Sequence, residues 1–157
     1  MIYDSTIHAE STEIMNNYLH NRGYYESKVG FQSRISKKNA IVKYKINMGE
    51  RYTIGKLDYE IPIDRMEKLY RESLNKSPLG VNKPFDLESM KSERVRIEKL
   101  MKNEGYYDFS REFVVFKADT SKTSKSADLT LTIKNKEENF GGSDSLVESE
   151  HKIYHIS

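Results

Sequence analysis

The chain has 157 residues, of which 32% are charged and 36% apolar, with a mean hydropathy of −0.77 and a formal net charge of +2. Eleven tyrosines and six phenylalanines are too many for a disordered chain, so small α+β units with thin cores and wide wet surfaces are expected. The lack of cysteine excludes disulfides, thiolate chemistry and Cys-based zinc sites, and the interleaved charges give no phosphate-binding stripe.

No apolar run approaches the ~20 residues of a spanning helix, and no charged-then-apolar secretion signal opens the sequence. An exported form is therefore expected to have lost a signal or to be an excised piece. In chain order, a helix is predicted from about Thr6, with Ile7, Ile14, Met15, Tyr18 and Leu19 on a rough apolar face and Gly23 as its stop. Lys28–Ile35 alternates cleanly, with Val29, Phe31, Ser33 and Ile35 on one face and Lys28, Gly30, Gln32 and Arg34 on the other. After a polar turn, Ala40, Val42, Tyr44 and Ile46 alternate in the same way, so the helix is followed by a β-hairpin.

A strand is predicted over 51–61, with a change of apolar phase at Gly55 that calls for a bulge or bend. Pro62 and Asp64 open a helix with Met66, Leu69, Tyr70 and Leu74 on one face, and the Pro- and Gly-bearing stretch 75–85 reads as a loop. Asp86 is a good N-cap for a longer helix carrying Leu87, Met90, Ile97, Leu100 and Met101, with Gly105 as its stop. A short apolar strand then runs through Phe113, Val114, Val115 and Phe116, followed by one in which Ala127, Leu129, Leu131 and Ile133 alternate with polar residues. The stretch 136–150 is acidic, contains Gly-Gly and reads as a linker; residues 152–156 echo 51–54 as the start of another strand.

The sequence thus repeats itself. Asn21-x-Gly23-Tyr24-Tyr25 returns as Asn103-x-Gly105-Tyr106-Tyr107, 82 residues on (105 − 23), each time after a helix and before two strands. A repeat of this length marks a supersecondary unit stacked in series. The order β-α-α-β-β, the helix–Gly-Tyr-Tyr–hairpin followed by Gly49-Glu-Arg-Tyr52-Thr-Ile54, and the stretch Glu93-Arg94-x-Arg96-Ile97…Gly105-Tyr106-Tyr107-x-Phe109 resemble the POTRA repeats of the BamA/TamA family of outer-membrane assembly proteins. Among these, the TamA-like surface proteins of the Bacteroidetes are particularly similar.

The resemblance implies an α+β fold of tandem POTRA-like β-α-α-β-β units, each a three-stranded mixed sheet with two helices packed on one face. It divides the chain into an incomplete unit over 1–50, a complete unit over 51–137, and over 138–157 a linker with the first strand of a truncated next unit. It implies a place on the periplasmic face of the outer membrane, in a longer chain carrying a β-barrel. The implied partners are unfolded outer-membrane proteins or subunits of the assembly machine; the alternative role is a rigid spacer or a docking arm for one folded partner.

In POTRA folds the second strand lies at the sheet edge, where unpaired N–H and C=O groups can accept a client strand. The resemblance places those edges at Lys28, Val29, Gly30 and Phe31 in the first unit and at Phe113, Val114, Val115 and Phe116 in the second. If Phe113 and Val115 face the helices, Val114 and Phe116 form an outward apolar pair; ordinary core packing is the competing expectation. Both Gly-Tyr-Tyr motifs are expected to be structural, as a C-cap glycine with a packed aromatic. Lys37, Lys38, Lys43 and Lys45 are expected to form a solvated face, with an acidic partner or lipid headgroup as the sharper alternative.

His151 and His155 stand at i, i+4, but in a strand-like segment, so no metal site is expected. No nucleophile elbow, phosphate-cradling glycine loop or marked carboxylate pair is present, and neither an enzyme nor a cofactor is expected. Asp128, Thr130 and Thr132 make a poor platform for stacking bases, which argues against nucleic acid as a partner.

Overall fold

Helix α1 (Ser5–Asn21) ends two residues before Gly23, whose φ of +89° is the left-handed conformation that favours glycine. The computed structural model describes residues 5–37, 39–120, 125–139 and 146–154. Strands β1 (Lys28–Ile35) and β2 (Ala40–Asn47) pair antiparallel, placing Val29 opposite Ile46 and Phe31 opposite Tyr44. This layer is thin. Val29, Phe31 and Val42 are half-buried, whereas Ile7, Ile14, Tyr18, Ile35, Ile41 and Ile46 are more than half exposed.

The second part of the chain completes what the first leaves open. It runs β3 (Thr53–Glu60), α2 (Asp64–Glu72), α3 (Leu87–Asn103), β4 (Val114–Asp119) and β5 (Ser126–Ile133). The sheet order is β3-β5-β4, with β3 parallel and β4 antiparallel to the central β5. The expected irregularity at Gly55 is a register shift between Ile54 and Lys56.

Ala127, Leu129, Leu131 and Ile133 of β5 are at most 1% exposed and lie under the two helices, with Met66 and Tyr70 from α2 and Ile97 and Met101 from α3 all at 0%. Burying such a side chain stabilises the fold by roughly 1.5–3 kcal/mol. Loop residues 82–85 also hydrogen-bond along the outer edge of β3, through Ile54 N to Lys83 O and Asn82 N to Ile54 O, both at 2.8 Å.

Two features depart from the sequence reading. Leu87, placed on the α3 core face, is 42% exposed, while Glu93 takes a fully buried position on that helix. The supposed linker carries two four-residue antiparallel strands, β6 (Lys136–Asn139) and β7 (Leu146–Ser149), too short for alternation to register in the sequence. Of the stretch 152–156, expected to begin another strand, residues 152–154 pair with no strand among the described residues, and His155 and Ile156 lie outside them.

Candidate functional site

The free edges of the two sheets follow from hydrogen-bond parity. Lys134 donates its N–H to Phe113 O at 2.9 Å, so residues 113, 115 and 117 direct their backbone groups at β5. Val114, Phe116 and Ala118 therefore turn theirs outward. The Val114 N–H is taken by Arg111 O, at the end of the short 3-10 turn Arg111–Phe113. Phe116 and Ala118 are left with donors and acceptors facing away from the sheet.

In the first unit, Ser36 and Asn39 exchange backbone bonds of 2.8 and 3.2 Å, which fixes the same parity. Val29, Phe31, Ser33 and Ile35 of β1 then point their backbone groups away from β2. The two edges correspond: Val29 opposite Ile46 and Phe31 opposite Tyr44 match Val114 opposite Ile133 and Phe116 opposite Leu131.

The side chains of β4 do not form the outward apolar pair. Val114 is 1% exposed within the core, and Phe116 packs half-buried against both core clusters beneath the helices. Phe113 belongs to the 3-10 turn, so the strand alternation begins one residue later than the sequence suggested. Phe113 instead packs edge-on against Phe109, with ring centroids 5.7 Å apart, and against His151 at 4.7 Å. Val115, half-buried, is on the opposite face. In β1, Val29 and Phe31 lie on the α1 side, where the His8 ring meets Phe31 at 5.6 Å, and Lys28 and Gly30 lie on the other. The edges are thus apolar beneath and hydrogen-bonding along their rims.

The two Gly-Tyr-Tyr motifs do more than end helices. Gly23 O accepts the backbone N–H of Tyr52 at 2.9 Å, and Gly105 O accepts that of Tyr154 at 2.9 Å. The second tyrosine of each motif meets the incoming one, Tyr25 against Tyr52 at 5.2 Å and Tyr107 against Tyr154 at 6.5 Å. The first tyrosines differ: Tyr106 is 2% exposed in the core, whereas Tyr24 lies beneath the Arg51 guanidinium at 5.5 Å. Burial first, then the charge of Asp86, pushes the Tyr25 hydroxyl above its ordinary value. Lys125 and Glu26 add an ion pair between the first unit and the turn before β5. The repeat was legible in the sequence; its use as a joint was not, because the partner residues lie 29 and 49 positions downstream (52 − 23 and 154 − 105).

Glu93, fully buried on α3, is clamped by both Nε and Nη2 of Arg96 at 2.7 Å. Arg96 Nη1 donates to Ser73 Oγ at 2.8 Å, and its guanidinium lies 5.6 Å from the Tyr70 ring. This pair bolts α3 to the end of α2. Its contacts, from a buried carboxylate through Arg96 to Ser73, make it structural.

His151 is 8% exposed and its Nε2 sits 2.9 Å from Lys134 O, so it packs as an aromatic; His155 lies outside the described residues. Lys28, Arg34, Lys43 and Lys45 share the outer face of the first hairpin, all exposed, in a stretch 27–49 without a single acidic residue. Lys37 is exposed beside them, and Lys38 lies outside the described residues. No helix among the described residues is long and apolar enough to cross a membrane.

A mixed three-stranded sheet with both helices on one face, in the order β-α-α-β-β, is a POTRA-like unit. Among solved structures, the chain is similar to BamA from Haemophilus ducreyi lacking POTRA domains 1–3, with a TM-score of 0.50 and 17% identity over 87% of this chain and 24% of that one. It is also similar to POTRA domains 3–5 of Haemophilus influenzae BamA (TM-score 0.47, 16% identity, 93% and 63% covered). A third is the N-terminal domain of Omp85 from the cyanobacterium Thermosynechococcus elongatus (TM-score 0.40, 12% identity, 87% and 55% covered). The chain therefore spans 24% of the first structure and less than two thirds of the other two. No protein-family model matches the sequence, and no curated protein does.

Proposed function

We propose that the chain is a periplasmic POTRA binding and scaffolding module of an outer-membrane protein assembly or transport machine. It engages unfolded barrel clients or partner subunits by pairing their strands with β4 or β1, and it catalyses nothing. The observation that carries this reading is the outer edge of β4, where Phe116 and Ala118 turn backbone groups outward, without a partner among the described residues, above a packed apolar face. Main-chain bonding gives affinity with little demand on sequence, which suits a receiver of many clients. The sequence motifs favour a TamA-like parent of the Bacteroidetes type, with an incomplete unit over 1–50, a complete one over 51–137 and the start of another within 138–157.

A rigid spacer or a docking arm for one folded partner is the second reading. The dense joint around Arg51, Tyr52 and Gly23 favours it, because it couples the two units. Backbone NMR titration of the chain with an amphipathic strand peptide from an outer-membrane barrel decides between them. Shifts concentrated on 114–119 or on 28–35 support edge pairing; no shifts at millimolar peptide, with binding to a folded subunit instead, support the spacer.

A further inference from the structure

Five residues carry the chain from the end of β2 at Asn47 to Tyr52 (52 − 47), and twenty-one carry it from the end of β5 at Ile133 to Tyr154 (154 − 133). Both routes arrive at the same bond. In each, an N–H of the incoming tyrosine reaches a glycine carbonyl at 2.9 Å, and its ring meets the second tyrosine of the motif. The longer route passes through the β6–β7 hairpin and still returns to that point.

From this correspondence we infer that the Gly105 corner is a docking site for the first strand of a following β-α-α-β-β unit. Residues 151–154 are the lead into that strand, as 49–52 lead into β3, and the following unit stands on the second as the second stands on the first. The inference rests on the repeat reading above but not on client binding.

A helix stop alone does not require what these glycines provide. Gly23 and Gly105 have φ of +89° and +95°, which a C-terminal stop explains. They also leave clearance for chain arriving from far downstream. A Cβ on Gly105 would stand 3.1 Å from Ile153 Cγ2 and 3.2 Å from Tyr154 O; one on Gly23 would stand 2.5 Å from Phe85 O and 3.4 Å from Tyr52 O. The Gly105 corner is thus shaped around the arriving Ile153 and Tyr154, and the Gly23 corner around Tyr52 together with Phe85, whose N–H bonds Tyr52 O.

Junction two has its own anchors. Tyr154 donates its hydroxyl to Asp108 Oδ2 at 2.9 Å, and His151 is seated between Phe109 and Phe113 with Nε2 on Lys134 O. Junction one uses Arg51 in their place, on Arg22 O and Asp86. The shared part is the glycine–tyrosine bond; the anchors around it are particular to each joint.

Amide hydrogen exchange on the unmodified chain is the first test. Tyr154 and Tyr52 should both exchange at least ~10-fold more slowly than their intrinsic rates. Gly105→Ala should release Tyr154 and leave Tyr52 protected, and Gly23→Ala should do the reverse. Exchange of Tyr154 at its intrinsic rate beside a protected Tyr52 would overturn the inference.

A second test splices a copy of residues 53–135 directly after Tyr154, in the register of Tyr52. Residual dipolar couplings should give the added unit the orientation on the second that the second has on the first. An added unit that folds but tumbles independently overturns the proposal, and the edge-strand titration is unaffected by either result.

Discussion

Arg51 bridges to Asp86 at 3.1 Å from 35 positions earlier in the chain (86 − 51), joining the end of one helix to the start of another. Its Nε donates to Arg22 O at 2.8 Å, just past α1, while the other oxygen of Asp86 accepts the Ser89 N–H at 2.7 Å as the cap of α3. One guanidinium therefore serves the end of α1 in the first unit and the first turn of α3 in the second.

This relationship sets a ranked expectation. Asp86→Ala removes the cap, worth about 1 kcal/mol, together with the bridge, whereas Arg51→Ala leaves the cap in place. Asp86→Ala should therefore destabilise more than Arg51→Ala in urea unfolding. The double variant should show a coupling of about 0.5 kcal/mol or more, as residues in one network do. Strict additivity would mean that the bridge does not tie the units.

The Glu93–Arg96 pair predicts a larger effect. Glu93→Ala leaves a partly buried guanidinium without its partner and should cost about 3–5 kcal/mol by chemical denaturation. Replacing both residues together with apolar ones of similar volume should cost less than Glu93→Ala alone. A single-residue loss below ~1 kcal/mol would place the pair among ordinary surface bridges.

Much of this arrangement was legible in the sequence, and the exceptions share a physical cause. The period-two alternation of β5 and the helix stops at Gly23 and Gly105 depend on neighbours a few residues away, and they read correctly. The burial of Glu93 was not legible because its compensation lies in Arg96 and Ser73, and Leu87, expected to be core, is exposed. The phase of β4 stayed open because a 3-10 turn absorbs Phe113, a change that hydropathy alone does not mark; of the two alternatives, core packing of Val114 and Phe116 holds. The candidate edge came from the family resemblance; which of its atoms face outward required the ladder parity.

That parity yields a paired substitution test of client binding. Ala118→Pro removes an outward N–H and tolerates the edge, so the fold should persist while strand-peptide affinity falls by about tenfold, near the ~1.4 kcal/mol of one good hydrogen bond. Lys117→Pro removes an inward donor to β5 and should destabilise the sheet instead. Equal peptide affinity in the native chain and the folded Ala118→Pro variant would exclude pairing along this part of β4.

Alkaline stability gives a prediction of fixed sign. Burial, followed by the nearby Glu93 charge, holds the Tyr70 hydroxyl well above its ordinary value of 10.0, and burial also raises Tyr106 and Tyr25. The fold keeps these protons longer than the unfolded chain does. Their contribution is complete below pH 10 and is lost as the pH rises beyond it through the folded values. The unfolding free energy should decline above that point, and Tyr70→Phe should flatten the decline; an unchanged slope in the variant would assign the loss to other groups.

The β6–β7 detour has a practical consequence. Closing a loop costs only ~0.6 kcal/mol for each doubling of its length, so residues added on the route from Ile133 to Tyr154 weigh little on folding. Since chain leaves β5 and returns to Gly105 at fixed points, the β6–β7 detour is a place where length can be added. A fluorophore, a spin label or an entire inserted domain can be carried there while the step from one unit to the next stays the same.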